Sequence, residues 1–175
     1  MGDAPNREDA WALLTEYTDN PSLIKHALGV EAAMRAYARS YGEDEEMWAA
    51  IGLVHDFDYQ QNPTEDTHLH VGTGILRERG WPEEWVRIVA SHADYMGVPR
   101  DSKAAKVLFA VDELSGFLTA CALVRPDKAI AEVKVKSVKK KLKDKAFARG
   151  VNRDDVRSGV EDLGVDLGEH IEFVR

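Results

Sequence analysis

Apolar residues recur at three- and four-residue spacing along nearly the whole chain, the period of helices that bury one face. No stretch alternates apolar and polar residues long enough to read as a strand, and no repeat of fixed length is visible. Turn and cap residues divide the pattern into elements. Asn20-Pro21 is an N-cap followed by proline at the first helical position, so a helix is expected from there to about Ser40, stopped by Gly42. Glu43 to Glu46 place negative charge where the next helix begins, as the macrodipole favours, and that helix runs to about Asp56. Residues 57–67 are polar, contain Pro63 and read as a loop. Further helices are expected from about His68 to Arg79, closed by Gly80, and from Pro82 to near His92 or Tyr95. After a loop at 93–101, Asp101 or Ser102 caps a long helix to about Leu123, and two or three shorter amphipathic helices follow. The fold class is all-α.

The same periodicity sets unusual residues on apolar faces. His26 shares its face with Leu23, Val30, Ala33 and Tyr37. His55 follows Trp48, Ile51 and Gly52 at i−7, i−4 and i−3, and His92 follows Trp85, Ile88 and Val89 at the same offsets. Asp112 follows Ala105, Leu108 and Phe109 likewise, while His68 precedes Gly72, Ile75 and Leu76. A charged Asp in a core costs several kcal/mol unless it is paired or bound to metal. Imidazole and carboxylate are ligands that divalent transition metals accept, and bundles build such centres from facing helices. One shared metal centre would account for all five residues. His70 differs: its helical neighbours Thr73, Gly74 and Arg77 place it at the surface or behind a ligand. His170, among Leu167, Phe173 and Val174, reads as a structural or capping histidine.

Length and composition add bounds. The 175 residues are read as one domain, with a core at 20–125 and a helical extension at 126–175. Apolar residues at 44% and charged residues at 31% place the chain among globular proteins. No run of 18 apolar residues offers a membrane span, and the first residues lack the basic-then-apolar pattern of a secretory signal. The lone Cys121 permits no internal disulfide and no cysteine-based zinc site. A cytoplasmic protein is the expectation.

The net charge of −8 argues against a nucleic-acid partner, but it is unevenly spread. Residues 134–145 hold seven Lys and one Asp, a local +6 that leaves −14 elsewhere. Val135, Val138 and Leu142 sit at i, i+3 and i+7, so the run reads either as a solvated face over one buried stripe or as the basic rim of an anion pocket. On the second reading Arg125 and Lys140 are candidates to hold a small anionic substrate.

The order His26, then the doublet His55-Asp56, then Asp112 resembles the HD superfamily, over residues 20–125. His68-Leu69-His70-Val71-Gly72 with Ile75-Leu76, and His92 beyond, resemble the branch of that family with extra ligands; residues 109–114 and Arg125-Pro126 resemble its small bacterial HDIG-type members. The resemblance implies an HD-domain helical bundle holding one or two divalent ions (Mn, Fe, Mg, Co, Ni or Zn) on His26, His55, Asp56, His68, His92 and Asp112. Asp56 would bridge the ions. Asp58, two residues past the doublet, reads either as a group that orients water or accepts its proton or as a loop carboxylate at the helix end. The implied activity is hydrolysis of a small phosphate ester or nucleotide by a metal-activated water. A di-iron oxygenase and a metal-binding module without catalysis are the alternatives. Phe57-Asp58 stands where many relatives carry Ile-Gly, and the Gly-Tyr-Pro motif of the cyclic-dinucleotide branch is absent, which argues against cyclic di-GMP cleavage.

Overall fold

The computed structural model describes residues 4–175, which form nine α-helices and no strand. They are α1 (Arg7–Tyr17), α2 (Pro21–Tyr41), α3 (Glu45–Val54), α4 (His70–Glu78), α5 (Glu83–Ser91), α6 (Lys103–Leu123), α7 (Val135–Leu142), α8 (Arg153–Leu163) and α9 (Leu167–Val174). The chain divides into two compact units, one ending at Leu108 and one beginning at Phe109. The division falls within α6, whereas the sequence reading set a core at 20–125 and an extension at 126–175. No helix among the described residues is long and apolar enough to cross a membrane.

In the first unit, α3 is the central element. Every residue from Trp48 to Val54 is buried, and α1 and α2 pack against it. The approach to α2 is close because position 52 is glycine: a Cβ there would stand 3.1 Å from the Cα of Glu31. Glu31 is itself buried and is held by Arg7 of α1 at 2.5 and 3.0 Å, which ties α1 to α2. No helix was expected over Arg7–Tyr17, yet its start is written in Asn6 and Asp9. Asn6 accepts from the backbone of Glu8 and Asp9, and the Asp9 carboxylate reaches back to the amide of Asn6. Asn20 and Gly42 bound α2 as expected, the latter at φ +69° in the left-handed region.

Two boundaries differ from expectation. α3 stops at Val54, so Asp56 lies in the turns that follow it rather than on the helix. α4 begins at His70 rather than at His68. The cause is Asp58, whose Oδ2 accepts the backbone N–H groups of both Leu69 (2.9 Å) and Gly72 (3.0 Å). Leu69 is held at φ +62°, a strained value for a branched side chain, and the chain enters α4 only after it.

In the second unit, α7, α8 and α9 close over the later part of α6, around Leu114, Phe117, Leu118, Val138, Val156 and Ile171. Val135 and Leu142 flank Val138 on this core, so the lysine-rich segment does lie over one apolar stripe. His170 is buried and donates from Nε2 to the Ala110 carbonyl at 2.8 Å.

Candidate metal centre

Four histidines surround one carboxylate in the first unit. His26 projects from the middle of α2. His55 ends α3 and His92 ends α5, each occupying the C-cap position. His68 stands in the turn before α4, and Asp56 in the turn after α3. The Oδ2 atom of Asp56 faces the Nε2 atoms of His55 at 3.2 Å and His26 at 3.9 Å. Its Oδ1 faces the Nε2 atoms of His92 at 3.0 Å and His68 at 3.1 Å. The carboxylate is thus shared between two pairs of imidazoles, one pair on each oxygen.

The far side of three rings is already committed. His55 donates from Nδ1 to the Gly52 carbonyl at 2.7 Å, and His92 repeats this with the Val89 carbonyl at 2.6 Å. His68 donates from Nδ1 to Oδ1 of Asp58 at 2.9 Å. Carbonyls and carboxylates only accept, so each neutral ring carries its hydrogen on Nδ1 and a lone pair on Nε2. Three lone pairs then point at an anionic carboxylate, which is repulsive unless a proton or a metal cation stands between. Histidines that ligate metals hold their other nitrogen in this way, on a carbonyl or a carboxylate. The donor set therefore fits divalent metal.

Without an ion, protons must do the same work. Burial alone would raise the Asp56 carboxyl, but the charge of His55 and contacts from His55, His68 and His92 outweigh it and hold the group well below the ordinary carboxylate range. Burial likewise pulls the His68 imidazole down, and Asp56 and Asp58 more than reverse this, lifting it to about 9. The centre opens to solvent on one side, with 26% of the Asp56 side chain exposed.

The other residues singled out in the sequence fall as follows. Asp58 has no exposed surface, and both its oxygens are engaged by His68, Leu69 and Gly72. It stands behind His68, which is a different place from that of a group reaching toward a water. His70, two residues from His68, is exposed, with its ring 6.3 Å from that of Tyr95. Asp112 is half-buried on α6, one turn past the division between the units. Arg125 is paired to Asp127 at 2.7 Å, and Lys140 is exposed on α7. Sequence reasoning missed Tyr59, whose ring meets that of His68 edge-on at 5.2 Å. No periodicity could reveal it, because it lies in an irregular turn.

The model of the HD domain family aligns with residues 23–116, more than half of the chain. Neither a curated protein nor a solved structure matches.

Proposed function

Since the chain belongs to the HD domain family, we propose that it is a metal-dependent phosphohydrolase acting on a small phosphate ester or nucleotide. The observation that carries the proposal is the Asp56 carboxylate with two imidazole nitrogens facing each oxygen. His26 and His55 would hold one divalent ion, His68 and His92 a second, with Asp56 common to both. The sequence order adds Asp112 as a sixth ligand. Bound divalent ions supply positive charge for phosphate oxygens and make water acidic enough to attack at neutral pH. The protein's own part is to hold the ligands. Asp58 keeps the His68 Nδ1 protonated, and the Gly52 and Val89 carbonyls do the same for His55 and His92. Four neutral imidazoles with two carboxylates leave net positive charge once two divalent ions are bound, which selects an anionic substrate.

The test is release of inorganic phosphate from a panel of phosphomonoesters and nucleotides, using protein loaded with manganese or magnesium. Activity that is lost in Asp56→Ala and on chelation is expected. Full metal loading with no phosphate released, together with oxygen consumption by the Fe(II)-loaded protein, would establish the oxygenase instead. Full loading with neither reaction would leave a metal-binding module.

A further inference from the structure

Part of the lysine-rich segment lines a cavity. The cavity, of about 230 Å³, lies within the second unit. Two helices line it with the same spacing of residues. α7 contributes Lys139 and Leu142 and its C-cap Lys143, and α8 contributes Arg153, Val156 and Arg157, so each presents cation, apolar residue and cation at i, i+3 and i+4. Leu167, the first residue of α9, completes an apolar floor with Leu142 and Val156. The lining carries four cations and no carboxylate.

Nearby acids offset this charge only in part. Asp154 pairs with Arg157 at 2.9 Å from outside the lining, and 87% of its side chain is exposed. Asp166 caps the amides of Gly168 and Glu169 at 2.7 and 3.1 Å and also lies close enough to act on Lys139, so Lys143 and Arg153 are the lining cations with no acid placed against them here. Arg153 is fixed in position. Its two terminal nitrogens donate to the carbonyls of Asp144, Phe147, Ala148 and Val151, and its guanidinium lies 5.1 Å from the Phe117 ring centroid. Its Nε is buried with no partner. A fixed guanidinium beside three cations, in a chain whose net charge is −8, makes a local positive field over an apolar floor.

We propose that this cavity binds a small amphiphilic anion, a carboxylate or phosphate headgroup carrying a short acyl or aryl body. The apolar body fits against Leu142, Val156 and Leu167, and the headgroup meets the cations of the two helices. The volume of about 230 Å³ gives room for a short apolar body. Nucleic acid is disfavoured, because no aromatic residue lines the cavity for a base to stack on. The proposal is independent of the metal chemistry: none of the lining residues is a candidate ligand.

The experiment is titration of the full chain with hexanoate, hexyl phosphate, 1-hexanol and inorganic phosphate, followed through the methyl resonances of Leu142, Val156 and Leu167. Saturable shifts with both amphiphiles are expected, with hexanol and inorganic phosphate each about tenfold weaker or more. The double variant Lys143→Glu/Arg157→Glu should lose binding, while Lys136→Glu, an exposed lysine on α7 outside the lining, should keep it. Hexanol binding as tightly as hexanoate would overturn the anion site. So would equal loss in Lys136→Glu, or the absence of saturable shifts at these methyls.

Discussion

Asp58 accepts the Nδ1 hydrogen of His68 at 2.9 Å, and this contact decides which nitrogen of His68 faces Asp56. The carboxylate that does so is fully buried, and its second oxygen holds the backbone of Leu69 and Gly72. Ring orientation and chain path around the centre are thus set by one side chain.

Asp58→Asn separates these roles. The amide oxygen can keep the two backbone hydrogen bonds, but the amide nitrogen then faces His68 Nδ1, which must become an acceptor. The His68 hydrogen moves to Nε2, where it blocks metal ligation. Metal affinity should fall about 10–100-fold in a competition titration against a chromophoric chelator. Nitrogen-15 spectra should show the tautomer of His68 exchanged. Unchanged affinity would remove Asp58 from its positioning role.

Gly72→Ala tests the same contact from the other side. A Cβ at position 72 would stand 2.7–2.9 Å from the carboxylate atoms of Asp58, in a place where nothing can yield without moving that group. A loss of about 1–3 kcal/mol in denaturant unfolding is expected, together with weaker metal binding. Gly74→Ala, on the same helix with nothing within 4 Å, is the control and should be neutral or stabilising.

His170 makes stability depend on pH. Burial holds its imidazole below the ordinary value of 6.5, and the bond to the Ala110 carbonyl opposes this only in part. The unfolded chain therefore binds a proton near pH 6.5 that the folded chain resists. The contribution of His170 is present above that pH and is lost as pH falls from there toward the folded value. His170→Gln keeps a donor for Ala110 but cannot titrate. Urea midpoints measured from pH 7.5 to 5.5 should fall less steeply in this variant than in the parent. Parallel curves would show that His170 does not titrate between the two states.

Glu31 links three elements, through Arg7, Arg35 and the close approach of Gly52. Glu31→Gln weakens the pairing with Arg7 without changing volume. Because 41% of the Arg7 side chain is exposed and can rehydrate, the cost should be about 1–2 kcal/mol. A double-mutant cycle with Arg7→Met should show that most of this is shared between the two residues.

The helical period was enough to place His26 and to set His55 and His92 on inward faces, because all three follow or lie on regular helices. It failed at His68, which does face inward but from a turn. Gly72, Ile75 and Leu76 belong to a helix that His68 does not enter, so its orientation comes from Asp58 and the left-handed Leu69 rather than from any stripe. His68 is buried and His70 exposed, although Thr73, one of the neighbours that set His70 on a polar face, is itself buried. Asp58 could be noticed in the sequence but not assigned a place, since its partners are backbone amides 11 and 14 residues away. α1 was missed because its apolar face is narrow, with only Ala10, Leu13 and Leu14 buried.

α3 and α5 each end on a histidine whose ring folds back onto the carbonyl three residues earlier. Ions taken up by these two rings, one on each, fix two helix termini, and the last turns of both helices lose their freedom to fray. Occupancy by a colourless, diamagnetic ion would then be legible without any chromophore, as slowed amide exchange at the ends of α3 and α5 and nowhere else along them.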